Sequence, residues 1–295
     1  MIWLIGNSGL LGQEIELMLE QERFQYIGTG HQIDITDIDT IRKFSDNNNF
    51  NWIINCAAYT AVDNAENDSQ NAFLLNHHAL VNLAQIAEEK NAKIIHFSTD
   101  YVFDGKKNSK YTEEDAPNPL NIYGKSKYAG ELALAKWEKN FIIRISWLFG
   151  HNKNNFVKTM LTFFNTKEQI GIINDQFGLP TYTKDVVEAV KFLLQSESTK
   201  YGIYHYCNNG KKISWCDFAL EIYQQAKDFG FAIKNNEIIP ITTAEYKQTA
   251  LRPHNSCLSA NKIMQELKIS IPCWENALER YLLLEKKSAT IKKMR

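Results

Sequence analysis

Short apolar runs separated by longer amphipathic stretches organise this chain. Residues 1–5, Met-Ile-Trp-Leu-Ile, are continuously apolar and partly β-branched, which suits a strand buried on both faces. Comparable runs recur at 24–27, 52–55, 93–97 and 141–144. Between them the apolar positions take helical spacing. Leu11, Ile15, Met18 and Leu19 fall on one side of a helix over 10–21, and further helices are expected at about 37–49, 68–90 and 122–139. Strands alternating with helices are built most economically as parallel β-α-β units, so the predicted class is α/β with a doubly wound parallel sheet.

The second half is less regular. Helices are expected near 153–166, 183–195, 214–228 and 273–286, with short strands near 169–173 and 202–206. No repeat, low-complexity segment or long linker separates the halves. Residues 1–150 are therefore read as a dinucleotide-binding domain whose sheet is completed by parts of 169–206. Residues 151–295 are read mainly as a smaller α+β lobe that covers the substrate.

The first strand runs directly into Gly6-Asn7-Ser8-Gly9-Leu10-Leu11-Gly12. Strand, glycine turn and helix in that order make a Rossmann-like phosphate cradle. The glycines permit a tight turn and close backbone approach, and the helix N-terminus offers N–H donors and partial positive charge. The spacing is Gly-x-x-Gly-x-x-Gly rather than Gly-x-Gly-x-x-Gly. An unliganded glycine turn is the bland alternative, against which the strand and helix context weighs. In such sheets ligands lie beyond the C-terminal ends of the strands. Cys56-Ala57-Ala58-Tyr59 and Ser98-Thr99-Asp100 follow two other predicted strands and share that edge.

Tyr123 and Lys127 stand four residues apart on the helix expected to begin at 122, so they share a face. A phenol has an ordinary pKa of about 10 and is a poor acid or base at neutral pH unless a cation stabilises its anion. Lys127 is the candidate cation. With the hydroxyls of Ser98 and Thr99, these side chains hold the parts of a carbonyl-reducing site, although Tyr-x-x-x-Lys alone also occurs on ordinary solvated helices.

Charge and cysteine content narrow the partners. The 33 basic and 34 acidic residues give a net charge of −1 and are interspersed, which leaves no electrostatic case for nucleic acid or a membrane surface. The five cysteines form no Cys-x-x-Cys pair, which argues against a disulfide framework or zinc knuckle and for a reducing compartment. With a strand beginning at residue 2 and no apolar run long enough to span a bilayer, the cytoplasm is the expected location.

Taken together, these segments resemble the extended short-chain dehydrogenase/reductases, and among them the dTDP-4-dehydrorhamnose reductases. The resemblance spans nearly the whole chain. It is carried by Gly6, Gly9 and Gly12, by 55–63 (NCAAYTAVD), by 98–105 (STDYVFDG), and by 118–127 (NPLNIYGKSK). Residues 144–147 (RISW), 175–181 (DQFGLPT) and 252–256 (RPHNS) extend it. The glycine loop and Tyr-x-x-x-Lys mark only the superfamily, whereas Thr-Asp-Tyr-Val-Phe-Asp-Gly, Asp-Gln-Phe-Gly and Arg-Pro-x-Asn-Ser are closer to the reductases.

The resemblance implies reduction of the C4 keto group of a nucleotide-activated 4-dehydro-6-deoxysugar. Tyr123 would protonate the C4 oxygen, Lys127 would hold the nicotinamide ribose and keep the tyrosine pKa low, and Thr99 would polarise the carbonyl. The implied cofactor contacts are Gly6, Asn7, Ser8, Gly9, Leu10, Leu11, Gly12, Asp34, Ile35, Ala57, Ala58 and Tyr59, together with Tyr123 and Lys127. Asp100, Tyr101 and Trp147 would line the sugar site, and the Arg252 fork would suit a diphosphate. For Trp147 a core aromatic is the alternative.

Two departures bear on cofactor and metal. No acid stands at the end of the second strand, which reads Gly28-Thr29-Gly30-His31 with Asp34 later, so NADPH is favoured over NADH. Some family members join as dimers through magnesium held by surface glutamates. Glu14 and Glu16 are the local counterparts, but alternating surface glutamates are ordinarily solvated, and no metal is assigned. Tyr101 replaces the acid expected of a 4,6-dehydratase, and Val102-Phe103-Asp104-Gly105 departs from the epimerase pattern. A non-catalytic regulatory subunit, like the β subunit of methionine adenosyltransferase, is the rival from another class.

Overall fold

The computed structural model describes residues 1–196, 198–234 and 237–293, the stretch 289–293 by backbone alone. Strand β1 (Ile2–Ile5) leads into α1 (Leu10–Gln21), followed by β2 (Tyr26–Thr29), α2 (Ile38–Asp46) and β3 (Trp52–Asn55). Helices α3 (Val62–Ala65) and α4 (Ser69–Phe73) run through a π turn at Leu74–His78 into α5 (Ala79–Lys90). Next come β4 (Lys93–Thr99), a 3₁₀ turn at Asp100–Val102, α6 (Ile122–Leu134) and β5 (Asn140–Ile145).

The later segments are shorter and more mixed. They comprise β6 (Leu148–Phe149), α7 (Phe156–Thr166), β7 (Gln169–Ile173), β8 (Phe177–Gly178), β9 (Thr181–Tyr182), α8 (Thr183–Gln195) and β10 (Gly202–Tyr206). After β11 (Ile213–Ser214) come α9 (Trp215–Asp228), β12 (Glu237–Ile241), α10 (Thr243–Tyr246), α11 (Asn261–Leu267) and α12 (Trp274–Lys293).

Six strands form one parallel sheet in the order β10-β5-β4-β3-β1-β2. Strand β1 shows why the apolar runs are continuous rather than alternating. Ile2 and Leu4 enter a core on one face with Leu11, Ile15 and Met18, while Trp3 and Ile5 enter a second core with Ile41, Phe50 and Ile53. A sheet covered on both faces needs apolar residues at every position. The strand order reverses beside β1, and that switch point opens a crevice at the C-terminal edge.

The expected Rossmann-like α/β architecture is present, with local corrections. The second strand starts at Tyr26 rather than 24, because the Phe24 N–H still bonds Leu19 O to close α1. Helix α6 stops at Leu134 rather than 139, since the Asn140 amide takes the released carbonyls of Leu134 and Trp137. Of the 169–206 region only β10 joins the main sheet; β7 pairs instead with β12, an unforeseen strand. Helix α8 packs back against α1, so the later half of the chain returns to the sheet layer. All five cysteines are free, and among the described residues no helix is long and apolar enough to cross a membrane.

One buried ion pair ties α6 to β5. Arg144 Nε and Nη2 donate to the two Glu131 oxygens at 2.9 and 2.7 Å, with both side chains almost wholly buried. Removing one member of such a pair strands a charge in the interior. Glu131→Leu is expected to lower unfolding stability by about 3–5 kcal/mol, read from urea denaturation.

Candidate active site

The glycine loop is shaped by close approach. A Cβ on Gly12 would stand 2.1 Å from Gly6 O, so α1 could not begin so near the loop with any side chain there. Gly9 N–H bonds Gly6 O at 3.0 Å, and Gly9, at the N-cap, supplies no side-chain cap. The glycine loop ahead of α1 borders a cavity of about 380 Å³. Gly6, Ser8, Gly9, Asp34, Ile35, Ala57 and Ala58 line it, as the sequence led one to expect.

Other expected cofactor contacts lie differently. Leu11 is in the core, and Leu10 and Asn7 are not among the lining residues. The Asn7 amide instead donates to Glu16 at 2.9 Å. Tyr59 does not line the cavity; its hydroxyl donates to Asp68 at 3.0 Å. The Asp34 carboxylate accepts from Thr36 N and Oγ1 at 2.9 and 2.7 Å. Gly30, Ile33 and Leu75, which the sequence did not single out as contacts, also line the cavity, together with His31 and Cys56. His31 is exposed beside Ser8 and Asp34, in the place where a ribose-binding acid would otherwise stand.

Sequence reading also missed Asn76, in the π turn. Its buried amide accepts from Tyr59 N at 2.8 Å and donates to Tyr59 O and Ser126 Oγ at 3.1 and 3.0 Å. That lock holds the loop after β3 against α6. The signal available in the sequence was only a polar residue inside a helical stretch; its reach to Tyr59 and Ser126 appears only in three dimensions.

Thr99, Asp100, Tyr101 and Tyr123 are gathered at the C-terminal end of β4, with Lys127 one turn further along α6. Asn121 caps α6 by accepting from Gly124 N at 2.7 Å, which puts Tyr123 in the first turn. A Cβ on Gly124 would meet Tyr101 O at 2.2 Å, so glycine allows α6 to press on the 3₁₀ turn. The Tyr101 and Tyr123 rings meet edge to face at 6.0 Å. Thr99 Oγ1 donates to Asp100 at 3.1 Å and accepts from Tyr101 N at 3.1 Å.

Burial dominates the electrostatics. Desolvation pushes the Asp100 carboxyl up to about 7, against the pull of Ser256 and Thr99. It draws Lys127 down to about 8, with Glu131 and Cys56 acting the other way. Tyr123 is pushed up to about 12 by desolvation, while Thr99 lowers it and Asp100 raises it. Here the structure departs from the expectation that Lys127 brings the phenol down. The Lys127 amine bonds Phe97 O at 2.6 Å and faces His96 Nε2 at 3.1 Å, a destination the helical spacing alone does not reveal.

The remaining candidates come from the second half. Trp147 adopts a left-handed backbone, φ 47°, unusual for a bulky residue, and its half-buried indole stacks on Trp215 at 3.5 Å. The Arg252 fork is engaged: Nη1 and Nη2 donate to Asp63 at 3.0 and 2.6 Å. The 175–181 and 252–256 loops bind each other through Phe177 N to His254 O and Ser256 N to Phe177 O, both 2.8 Å. Glu14 is buried rather than solvated; it accepts from Asn152 at 3.3 Å and lies 3.8 Å from Lys184 Nζ. Among the described residues no group of three or more His, Cys, Asp or Glu side chains is poised to hold a metal ion.

Comparison with known proteins follows the same lines. Residues 1–286 match the family model described as RmlD substrate binding domain. A dTDP-4-dehydrorhamnose reductase of Aggregatibacter actinomycetemcomitans is 40% identical over 287 residues, covering 94% of this chain and 96% of the relative. The Escherichia coli K12 enzyme of the same name is 34% identical, with 95% and 96% covered. The crystal structure of the dTDP-4-dehydrorhamnose reductase of Bacillus anthracis in complex with NADP superposes with a TM-score of 0.90 at 35% identity, covering 96% of this chain and 98% of that one. With a family model matched from end to end of the site and relatives this similar over their full length, the chain belongs to the RmlD substrate binding domain family, the family of these dTDP-4-dehydrorhamnose reductases.

Proposed function

We propose that the chain is an NADPH-dependent oxidoreductase that reduces the C4 keto group of dTDP-4-dehydro-L-rhamnose to give dTDP-L-rhamnose. The observation that carries this reading is the convergence of Thr99, Asp100, Tyr101 and Tyr123 beyond β4, on the same sheet edge as the glycine-loop cavity. The name shared by the relatives supports the substrate, and the NADP-bound neighbour supports the cofactor.

The residues present fit a dinucleotide. The cavity is floored by the glycine-loop backbone that leads into α1, a setting that suits a pyrophosphate. On its β2 side Gly30 and His31 directly follow the strand, and the Asp34 carboxylate lies further along and is engaged by Thr36, so no acid stands at the strand end itself to repel a 2′-phosphate. A reduced nicotinamide bound there supplies the hydride. Tyr123, kept protonated by burial, donates to the C4 oxygen and releases its proton as negative charge develops there. Thr99 offers a second hydroxyl to the same oxygen and polarises the carbonyl. Lys127 holds the ribose and, when charged, favours the phenolate. Asp100, Tyr101 and Trp147 line the sugar site in the lobe formed mainly by 151–295. Arg252 meets the diphosphate by sharing or exchanging its Asp63 partner.

NADPH oxidation on addition of dTDP-4-dehydro-L-rhamnose tests this directly, with NADH run in parallel. Rapid turnover with NADPH is expected; cofactor binding without turnover would leave the partner-binding alternative standing. Tyr123→Phe should bind NADPH within about twofold of the parent while losing about 10²–10⁴ in kcat, and undiminished kcat would remove the phenol from the mechanism.

Asp100 gives a second expectation. Its folded pKa is raised, so its contribution to stability is full below the ordinary carboxyl value and is lost as pH rises through about 7. Asp100→Asn removes that loss. The variant should gain about 2–4 kcal/mol over the parent at pH 8, a gain that shrinks towards pH 4, read from urea midpoints at the two pH values; an equal difference at both would contradict the assignment.

A further inference from the structure

Behind Lys127 lies a buried polar pair that the reaction scheme does not use. His96, in β4, is 1% exposed. Its Nδ1 lies 3.2 Å from Asn55 Nδ2, and its Nε2 lies 3.1 Å from Lys127 Nζ. The Asn55 amide has a fixed sense, because Asn55 Oδ1 accepts from Ala57 N–H at 3.0 Å, leaving the NH₂ end to face the imidazole. Nδ1 is thus an acceptor. A neutral imidazole carries a single N–H, which must then be on Nε2, pointing at the lysine. Burial above all holds His96 well below its ordinary value, which favours the neutral imidazole whatever the state of Lys127.

An ammonium has no lone pair and cannot accept from Nε2–H. An amine can, while still donating to Phe97 O at 2.6 Å. Two neighbours of Lys127, Glu131 and Cys56, would favour an ammonium, but neither offers it a free charge. Cys56, after β3, is a partly buried thiol held in its neutral form. Glu131, one turn along α6, is the anion that would favour an ammonium, but both its oxygens are bonded to Arg144. Tyr123, one turn earlier, keeps its proton. Lys127 is itself drawn down to about 8.

We propose that Asn55 and His96 form a tautomer lock: Asn55 fixes the His96 proton on Nε2, and that N–H donates to Lys127 Nζ, making His96 a positioning residue that favours the uncharged amine. The consequence for catalysis rests on the reading of Lys127 as the cation beside the phenolate. On that reading His96 sets the pH above which the cation is absent, and hence the alkaline limb of the rate.

Nitrogen-15 NMR of histidine-labelled protein, without cofactor or substrate, reports which ring nitrogen of His96 is protonated. Carbon-13 NMR of the lysine Cε carbons reports Lys127, with His96→Gln and Lys127→Arg used for assignment. The expected result is a proton on Nε2 and a Lys127 midpoint near 8. In His96→Gln, whose amide oxygen can turn to accept from an ammonium, the midpoint should rise by at least about one pH unit, and the alkaline limb of kcat should move with it. A proton on Nδ1 in the parent, or a midpoint unmoved in His96→Gln, would overturn the lock. The resonances are read with an empty site, so failure of the catalytic reading would appear as a Lys127 variant with undiminished turnover and would leave them unchanged.

Discussion

The seating of α6 against β4 and β5 is the constraint on which the site depends. Four contacts of different kinds set it. The Arg144–Glu131 pair joins the helix to β5, the Lys127 amine reaches the Phe97 carbonyl of β4, Gly124 lets the first turn press on Tyr101, and Asn121 both caps the helix and donates to Leu251 O at 2.7 Å. A shift of α6 by one residue would break all four. Because the helix carries Tyr123 and the strand end carries Thr99, the same contacts fix the separation of the two hydroxyl groups that a carbonyl would meet.

Burial then decides the protonation states. Asp100 is pushed up, Lys127 down and Tyr123 up, each towards its neutral form, because a charge in this crevice loses water without gaining an equal partner. The Glu131 carboxylate, the nearest strong anion on α6, is held by Arg144. The site is therefore a largely desolvated, hydrogen-bonded pocket in which added charge is felt strongly, as befits a centre where charge develops on one oxygen during the reaction.

The second half of the chain serves this edge of the sheet with loops rather than strands. The 175–181 and 252–256 segments pair with each other, and the Ser256 side chain bears on the Asp100 carboxyl, which links the second half of the chain to the turn after β4. Asp63 joins it again by holding Arg252 and the amides of Thr249 and Ala250. These contacts span long stretches of chain and leave no periodic trace.

The sequence by itself determined the sheet and its cofactor edge. Continuous apolar runs bounded by turn residues suit strands of a parallel sheet, and Leu10–Gln21, Thr183–Gln195 and Gly202–Tyr206 were legible to the residue because local spacing and their flanking breakers suffice to bound them. The family was legible too, since the Thr-Asp-Tyr-Val-Phe-Asp-Gly and Arg-Pro-x-Asn-Ser segments are contiguous. Tertiary structure alone decided that β7 leaves the main sheet for β12, that Asn76 holds the Tyr59 loop, that Arg252 is occupied by Asp63, and that the Lys127 amine bonds Phe97 O and faces His96. Each of these is a choice of hydrogen-bond or strand partner among groups tens of residues apart. Composition and periodicity fix which faces are buried, but not which buried polar group meets which.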